Sequence, residues 1–202
     1  FRAIVDDKIG LENISTLYLL GDYIDRGPDS KEVFDYIFEL RSKGKVVHCL
    51  MSNHEDLMIR SLHSPTDFDL WMANGGADTL KSFDAWKTQE IDQSYLDFVR
   101  DLMLYQELED VWLVHAAFDT SKDDIFENKR AMLWMRNMSY ESEKLKNKKV
   151  IHGHTPTPYS IIQKNIHEND LILSIDAGCV YKNKSGLGYL CALNLDTMDL
   201  VI

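Results

Sequence analysis

A chain of 202 residues with 45% hydrophobic content has enough apolar mass for one sizeable core. Its 22 basic against 33 acidic side chains leave a net charge of −11, which excludes a nucleic-acid backbone as a general partner; no basic cluster or aromatic-basic stripe argues otherwise. No apolar run approaches membrane-spanning length and none reads as a signal peptide, so no membrane partner is expected.

In chain order, residues 1–9 have Phe1, Ile4 and Val5 spaced for one helical face. The opening Phe1-Arg2-Ala3-Ile4, without a Met, reads as the middle of a helix, so a natural segment is expected upstream. Residues 16–21 form a short strand that delivers Asp22. Pro28-Asp29-Ser30 then turns the chain, with Ser30 as the expected cap of a helix running to about Leu40 and ended by Gly44. Its Val33, Phe34, Ile37, Phe38 and Leu40 make a wide apolar face. Strand 46–51 delivers Asn53 and His54, and a helix follows from about Glu55 to Leu62. This β-α-β-α alternation indicates an open, largely parallel sheet.

Residues 64–104 read as mostly helical, interrupted at Asn74-Gly75-Gly76. Strand 111–116 carries His115, and the lysine-rich 119–148 reads as loop with irregular helix. Short strands at 149–152, 171–176, 188–194 and 198–202 close the chain, with a hairpin-like return around Asn183 to Gly188. Cys49, Cys179 and Cys191 are odd in number and lack CxxC spacing, so a reducing cytoplasm is the expected location.

The chemistry sits in four polar islands, each just after an apolar run. They are Gly21-Asp22-Tyr23-Ile24-Asp25-Arg26-Gly27, Ser52-Asn53-His54-Glu55, His115, and Gly153-His154-Thr155. Strand ends of an α/β sheet present ligands to the crevice beyond their carboxyl termini. Asp22 has two oxygens with which to bridge divalent cations, and Asp25 is placed to orient a histidine. Arg26 offers a planar fork for two phosphate oxygens. Asn53 adds an amide oxygen, His54 an imidazole in the range of a general acid, and His115 and His154 one ring nitrogen each. The bland alternatives are a solvated Asp-Arg turn, a helix cap at Asn53 and a core histidine at 115. Each is weakened by the presence of the other islands. His48, His63 and His167 lack motif context, and His152, two residues before His154 on the same strand, reads as packing beside the site.

In order and rough spacing these islands resemble the metallophosphoesterases of the phosphoprotein phosphatase type. This is the calcineurin-like family, and the likeness is to its bacterial serine/threonine phosphatase branch. Asn74-Gly75-Gly76 with Thr79-Leu80, Leu133-Trp134-Met135-Arg136, Asp176-Ala177-Gly178-Cys179-Val180 and the closing stretch from Gly188 to Leu193 add to the likeness. The resemblance implies an α/β fold, a sandwich of mixed β-sheets flanked by helices, in a single domain over 1–202. It implies two divalent metal ions, manganese foremost with iron or zinc as alternatives. Asp22 then bridges the metals, while Asn53, His115 and His154 complete the second site. His54 is the general acid held by Asp25, and Arg26 and Arg136 clamp phosphate. A metal-bridging hydroxide attacks phosphorus in line.

The implied reaction is hydrolysis of phosphomonoesters, with phosphoserine or phosphothreonine in proteins as substrate and small phosphoesters as the alternative. Two other readings stand beside it. One is a symmetrical dinucleoside-polyphosphate hydrolase, whose branch alters the residue at Asp25 and has Asp at Glu55. The other is a non-catalytic phosphate-binding module. The chain departs from the pattern at Ser52 and Ala117, where glycines are usual. It also lacks the family's Gly-Asp-x-His-Gly island in residues 1–20, so its N-terminal strand and first metal motif are expected upstream of Phe1.

Overall fold

The computed structural model describes residues 1–202, and the chain divides into two compact units: Ser15–Met103, and Phe1–Ile14 with Leu104–Ile202. Both are α/β: the strand pair of the first unit is parallel, and the second unit has parallel and antiparallel pairs, with intervening helices in each. No helix is long and apolar enough to cross a membrane.

In the first unit, strands β1 (Thr16–Leu19) and β2 (Val46–Cys49) pair in parallel, joined by helix α1 (Ser30–Ser42). Their register sets Leu19 beside Cys49, so the loop carrying Asp22 and the turn leading to Asn53 leave the same edge. Helix α2 (Asn53–Ser61) follows directly. Then come α3 (Pro65–Ala73), α4 (Gly76–Ser82) and α5 (Gln93–Arg100), with the expected break at residues 74–75. Phe34 of α1 is fully buried among the rings of Tyr23, Phe83, Tyr95 and Phe98, whose centroids lie 5.5 to 6.2 Å away. Such aromatic packing fixes α1 and α5 together.

Ser30 is not the cap expected of it. It is the first residue of α1, and its hydroxyl accepts the backbone N–H of Asp25 at 3.2 Å. Ser52, by contrast, caps α2 with a complete capping box: its hydroxyl accepts from His54 at 2.9 Å while Glu55 accepts the N–H of Ser52 at 3.0 Å. A serine at this position therefore serves the helix start rather than disturbing the turn.

The second unit is built on a four-stranded sheet in the order β3 (Tyr105–Glu107), β4 (Val111–Val114), β5 (Lys149–His152), β6 (Ile172–Ser174). The β3–β4 pair is antiparallel and the other two pairs are parallel. Strand β3 and helix α7 (Tyr159–His167), which crosses from β5 to β6, were not expected from the sequence. Val114, His152 and Ser174 lie at matching register positions, so the residues after all three strands emerge at one edge. The core joins Trp112, Val114, Phe118, Ile125, Met132, Leu145 and Val150. Within residues 119–148 only α6 (Lys129–Trp134) is helical, as expected of that polar stretch. A two-stranded hairpin of β7 (Ala192–Leu193) and β8 (Leu200–Val201) closes the chain. The return at 183–188 is not a hairpin, because the bridge that follows it, Gly178 to Tyr189, runs parallel.

Candidate functional site

The first unit gathers five of the expected site residues. Asp22 and Arg26 are exposed, while Asp25, Asn53 and His54 are buried. Asp22, Asp25 and Arg26 all have left-handed backbone, with φ of 58°, 73° and 62°. Non-glycine residues in that region carry strain, and it persists only where surrounding bonds hold it. Here the bonds are identifiable. Glu55 Oε1 accepts the Tyr23 N–H at 2.9 Å and Oε2 the Asp22 N–H at 3.3 Å, and Tyr23 sends its hydroxyl to the Leu50 carbonyl at 2.8 Å. The two islands are thus tied by backbone-directed bonds. Burial and the Asp22 carboxylate push Glu55 up to about 7.

His54 is fixed at both ring nitrogens. Nδ1 lies 2.5 Å from Asp25 Oδ2, and Nε2 lies 2.9 Å from Arg26 Nη2. A guanidinium can only donate, so Nε2 is the acceptor and Nδ1–H the donor to Asp25. Burial works against charging His54, yet the Asp25 hydrogen bond with the Asp22 and Asp25 charges outweighs it and raises its pKa. For Nε2 to take a proton, Arg26 must withdraw. The arrangement can therefore exchange one guanidinium contact for one transferable proton.

The same carboxylate has two further donors that the sequence did not reveal. Trp71 Nε1 lies 3.1 and 3.0 Å from Asp25 Oδ1 and Oδ2, and Thr79 Oγ1 lies 2.6 Å from Oδ1. Asn74-Gly75-Gly76 explains how they come so close. A Cβ on Gly75 would sit 2.9 Å from Arg26 Cγ, and one on Gly76 would sit 2.7 Å from the Trp71 ring.

In the second unit His115, buried, directly follows β4, and His154 follows β5 after Gly153. His115 Nε2 and His154 Nδ1 are 3.2 Å apart. Two imidazole nitrogens bound ~2.1 Å from one cation in tetrahedral geometry would be separated by about that distance. In neither unit do three or more His, Cys, Asp or Glu side chains form a group able to hold a metal. The donors that fit a divalent cation are instead the Asp22 and Asn53 oxygens in the first unit and the imidazole pair in the second. His154 is not on the strand but beyond it, at φ 63°, so alternation along β5 does not place His152 on its side. His152 Nδ1 donates to the Gly153 carbonyl at 2.9 Å, and burial lowers its pKa.

Arg136 lies just past the end of α6, exposed, at a cavity of about 230 Å³ that Ala116, Ala117 and His152 also line. Asp176 Oδ1 accepts the Gly178 N–H at 2.8 Å, shaping the turn after β6. Among the other histidines, His48 stacks on Tyr18 with centroids 5.1 Å apart.

A model of the calcineurin-like phosphoesterase family matches residues 1–184. A zinc-dependent endopolyphosphatase of Saccharomyces cerevisiae is 43% identical over 74 residues, covering 36% of this chain and 21% of that protein. The chain thus spans about a fifth of that relative's length. Among solved structures, a hypothetical protein from Pyrococcus horikoshii OT3 superposes with TM-score 0.54 at 13% identity, over 93% of this chain and 73% of its own. A metallophosphoesterase from Sphaerobacter thermophilus gives TM-score 0.43 at 17% identity, over 70% of this chain and 49% of its own.

Proposed function

The chain belongs to the calcineurin-like phosphoesterase family, and from that premise we propose that it is a metal-dependent hydrolase of phosphomonoesters, with phosphoserine and phosphothreonine in proteins as its substrate class. Asp22 and Asn53 in the first unit, and His115 and His154 in the second, are the residues proposed to hold the metal ions. When bound, such ions supply charge against the phosphate oxygens and lower the pKa of water. Arg26 binds phosphate through its fork and in doing so leaves Nε2 of His54. His54 then carries a proton at Nε2 and gives it to the departing oxygen, while Asp25 keeps Nδ1 in place. Arg136 is proposed as a second phosphate contact.

The observation that carries this reading is the chain from buried Asp25 and His54 to exposed Arg26, with contacts of 2.5 and 2.9 Å. A positioned acid matters most where the leaving group is a basic alkoxide, as in a serine or threonine ester, and least where it is already a phosphate. The net charge of −11 also repels a long polyanion.

A second reading is hydrolysis of inorganic polyphosphate, favoured by the 74-residue match to the yeast zinc-dependent endopolyphosphatase. The test compares kcat/KM on a phosphopeptide, on polyphosphate and on diadenosine tetraphosphate, with manganese, iron and zinc supplied in turn. The phosphopeptide is expected to lead, with manganese as the best metal. A preference for either anhydride would defeat the substrate assignment, and phosphate binding without turnover of any of the three would identify a binding module.

A further inference from the structure

We propose that Trp71 and Thr79 are positioning residues that lock the Asp25 carboxylate, and through it set the direction of His54; the inference rests on the role of His54 given above. Asp25 has three side-chain donors converging on two oxygens. His54 Nδ1 and Trp71 Nε1 reach Oδ2 at 2.5 and 3.0 Å, while Thr79 Oγ1 and Trp71 Nε1 reach Oδ1 at 2.6 and 3.1 Å. All of this occurs out of water, with Asp25 6% exposed and Trp71 and Thr79 fully buried. Thr79 acts twice, because its Oγ1 also accepts the Asp25 backbone N–H at 2.9 Å. One hydroxyl therefore holds both the main chain and the carboxylate of a residue whose φ is 73°.

The plainer view is that Trp71 is a core side chain whose N–H takes the nearest acceptor. Three features go beyond it. The two residues come from consecutive helices, α3 and α4, whose only link is the Asn74-Gly75 turn. Gly76 admits the indole at a distance where a Cβ would collide with it, and Gly75 lets the same turn press on the backbone of Arg26. Both helices and both glycines thus address one carboxylate. Without the two donors Asp25 is free to rotate, and Nε2 of His54 loses its aim. A misplacement of about 1 Å at such a group costs on the order of 10²-fold in rate.

The experiment uses Trp71→Phe, which keeps an aromatic ring, Thr79→Val, which keeps the shape, and Thr79→Ser, which restores the hydroxyl. Each is assayed on a phosphopeptide and on aryl phosphates of decreasing leaving-group basicity, with kcat and KM resolved. The His54 Nδ1–H resonance is followed by NMR in metal-free protein. Trp71→Phe and Thr79→Val are expected to lower kcat on the phosphopeptide by roughly 10–100-fold at unchanged KM, with the loss shrinking to about threefold or less on the most activated aryl ester. Both should shift or broaden the Nδ1–H resonance, and Thr79→Ser should recover both properties. An equal loss across all leaving groups, or an unmoved resonance, would overturn the inference. Should Trp71→Phe fail to fold, the Thr79→Val and Thr79→Ser pair decides alone. A His54→Ala protein that retains wild-type leaving-group dependence would instead sink the acid role itself. If His54 matters and these variants do not, only the positioning claim falls.

Discussion

Glu55 Oε1 lies 2.9 Å from the backbone N–H of Tyr23, joining the first turn of α2 to the loop that carries Asp22. The same carboxylate receives the N–H groups of Asp22 and Ser52 at 3.3 and 3.0 Å. One fully buried side chain thus closes a helix cap and holds a strained loop.

Removing it should be costly. Glu55→Ala leaves buried amides without an acceptor, at roughly 1–3 kcal/mol for each such group. Urea denaturation is expected to show a loss of at least about 2 kcal/mol, with Glu55→Gln losing less because one oxygen remains. Equal stability of Glu55→Ala and wild type would show that the loop is held by other contacts.

His54→Ala should lower kcat on a phosphopeptide by about 10²–10⁴-fold, the scale of a general acid. On an aryl phosphate with a good leaving group the loss should be much smaller. Steady-state kinetics on the two substrates checks the contrast, and no loss on the phosphopeptide would remove His54 from its role.

Gly75→Ala and Gly44→Ala form a matched pair, since both glycines have positive φ, 110° and 79°. At Gly44 a Cβ meets nothing within 4 Å, so its substitution reports backbone strain alone, about 1–2 kcal/mol. At Gly75 the Cβ also meets Arg26 at 2.9 Å, so thermal unfolding should show a clearly larger loss, accompanied by weaker phosphate binding. Equal effects at the two positions would mean that Arg26 moves aside freely.

Burial raises the thiols of Cys49 and Cys191 from 9.0 to about 11. The fold favours the protonated form of each, so that stability is fully present below pH 9 and is lost as pH climbs through about 11. Cys49→Ala should therefore flatten the fall of the urea midpoint across this window. Mass mapping after alkylation at pH 8 should find exposed Cys179 modified first and buried Cys49 last. Early modification of Cys49 would contradict its burial.

Much of the site was legible because its residues follow strands that can be read locally. Asp22, Asn53, His115 and His154 each come within a few residues of an apolar run, and parallel register does the rest. The bonds of Trp71 and Thr79 to Asp25 were hidden for the opposite reason, although Thr79 counts toward the family likeness. Each contacts Asp25 across a long stretch of chain, from a helix where a tryptophan or threonine looks like ordinary packing. The Asn74-Gly75-Gly76 stretch between them reads as a helix interruption, and its close approach to Arg26 and the Trp71 ring shows only in the structure. Helix α7 escaped notice because Ser160, Gln163, Lys164 and Asn165 dilute its apolar side to Ile161, Ile162 and Ile166. The place of His154 was misjudged because strand alternation stops at His152.

The short helical segment Ile4–Ile9 rests against β8, so its neighbours are made long after it. At ~5–20 residues per second of synthesis, it waits on the order of ten seconds or more outside the ribosome before they exist. During that interval Ile4 and Val5 offer an apolar surface to any chaperone near the exit tunnel, while Ser15–Met103 packs within its own compact unit.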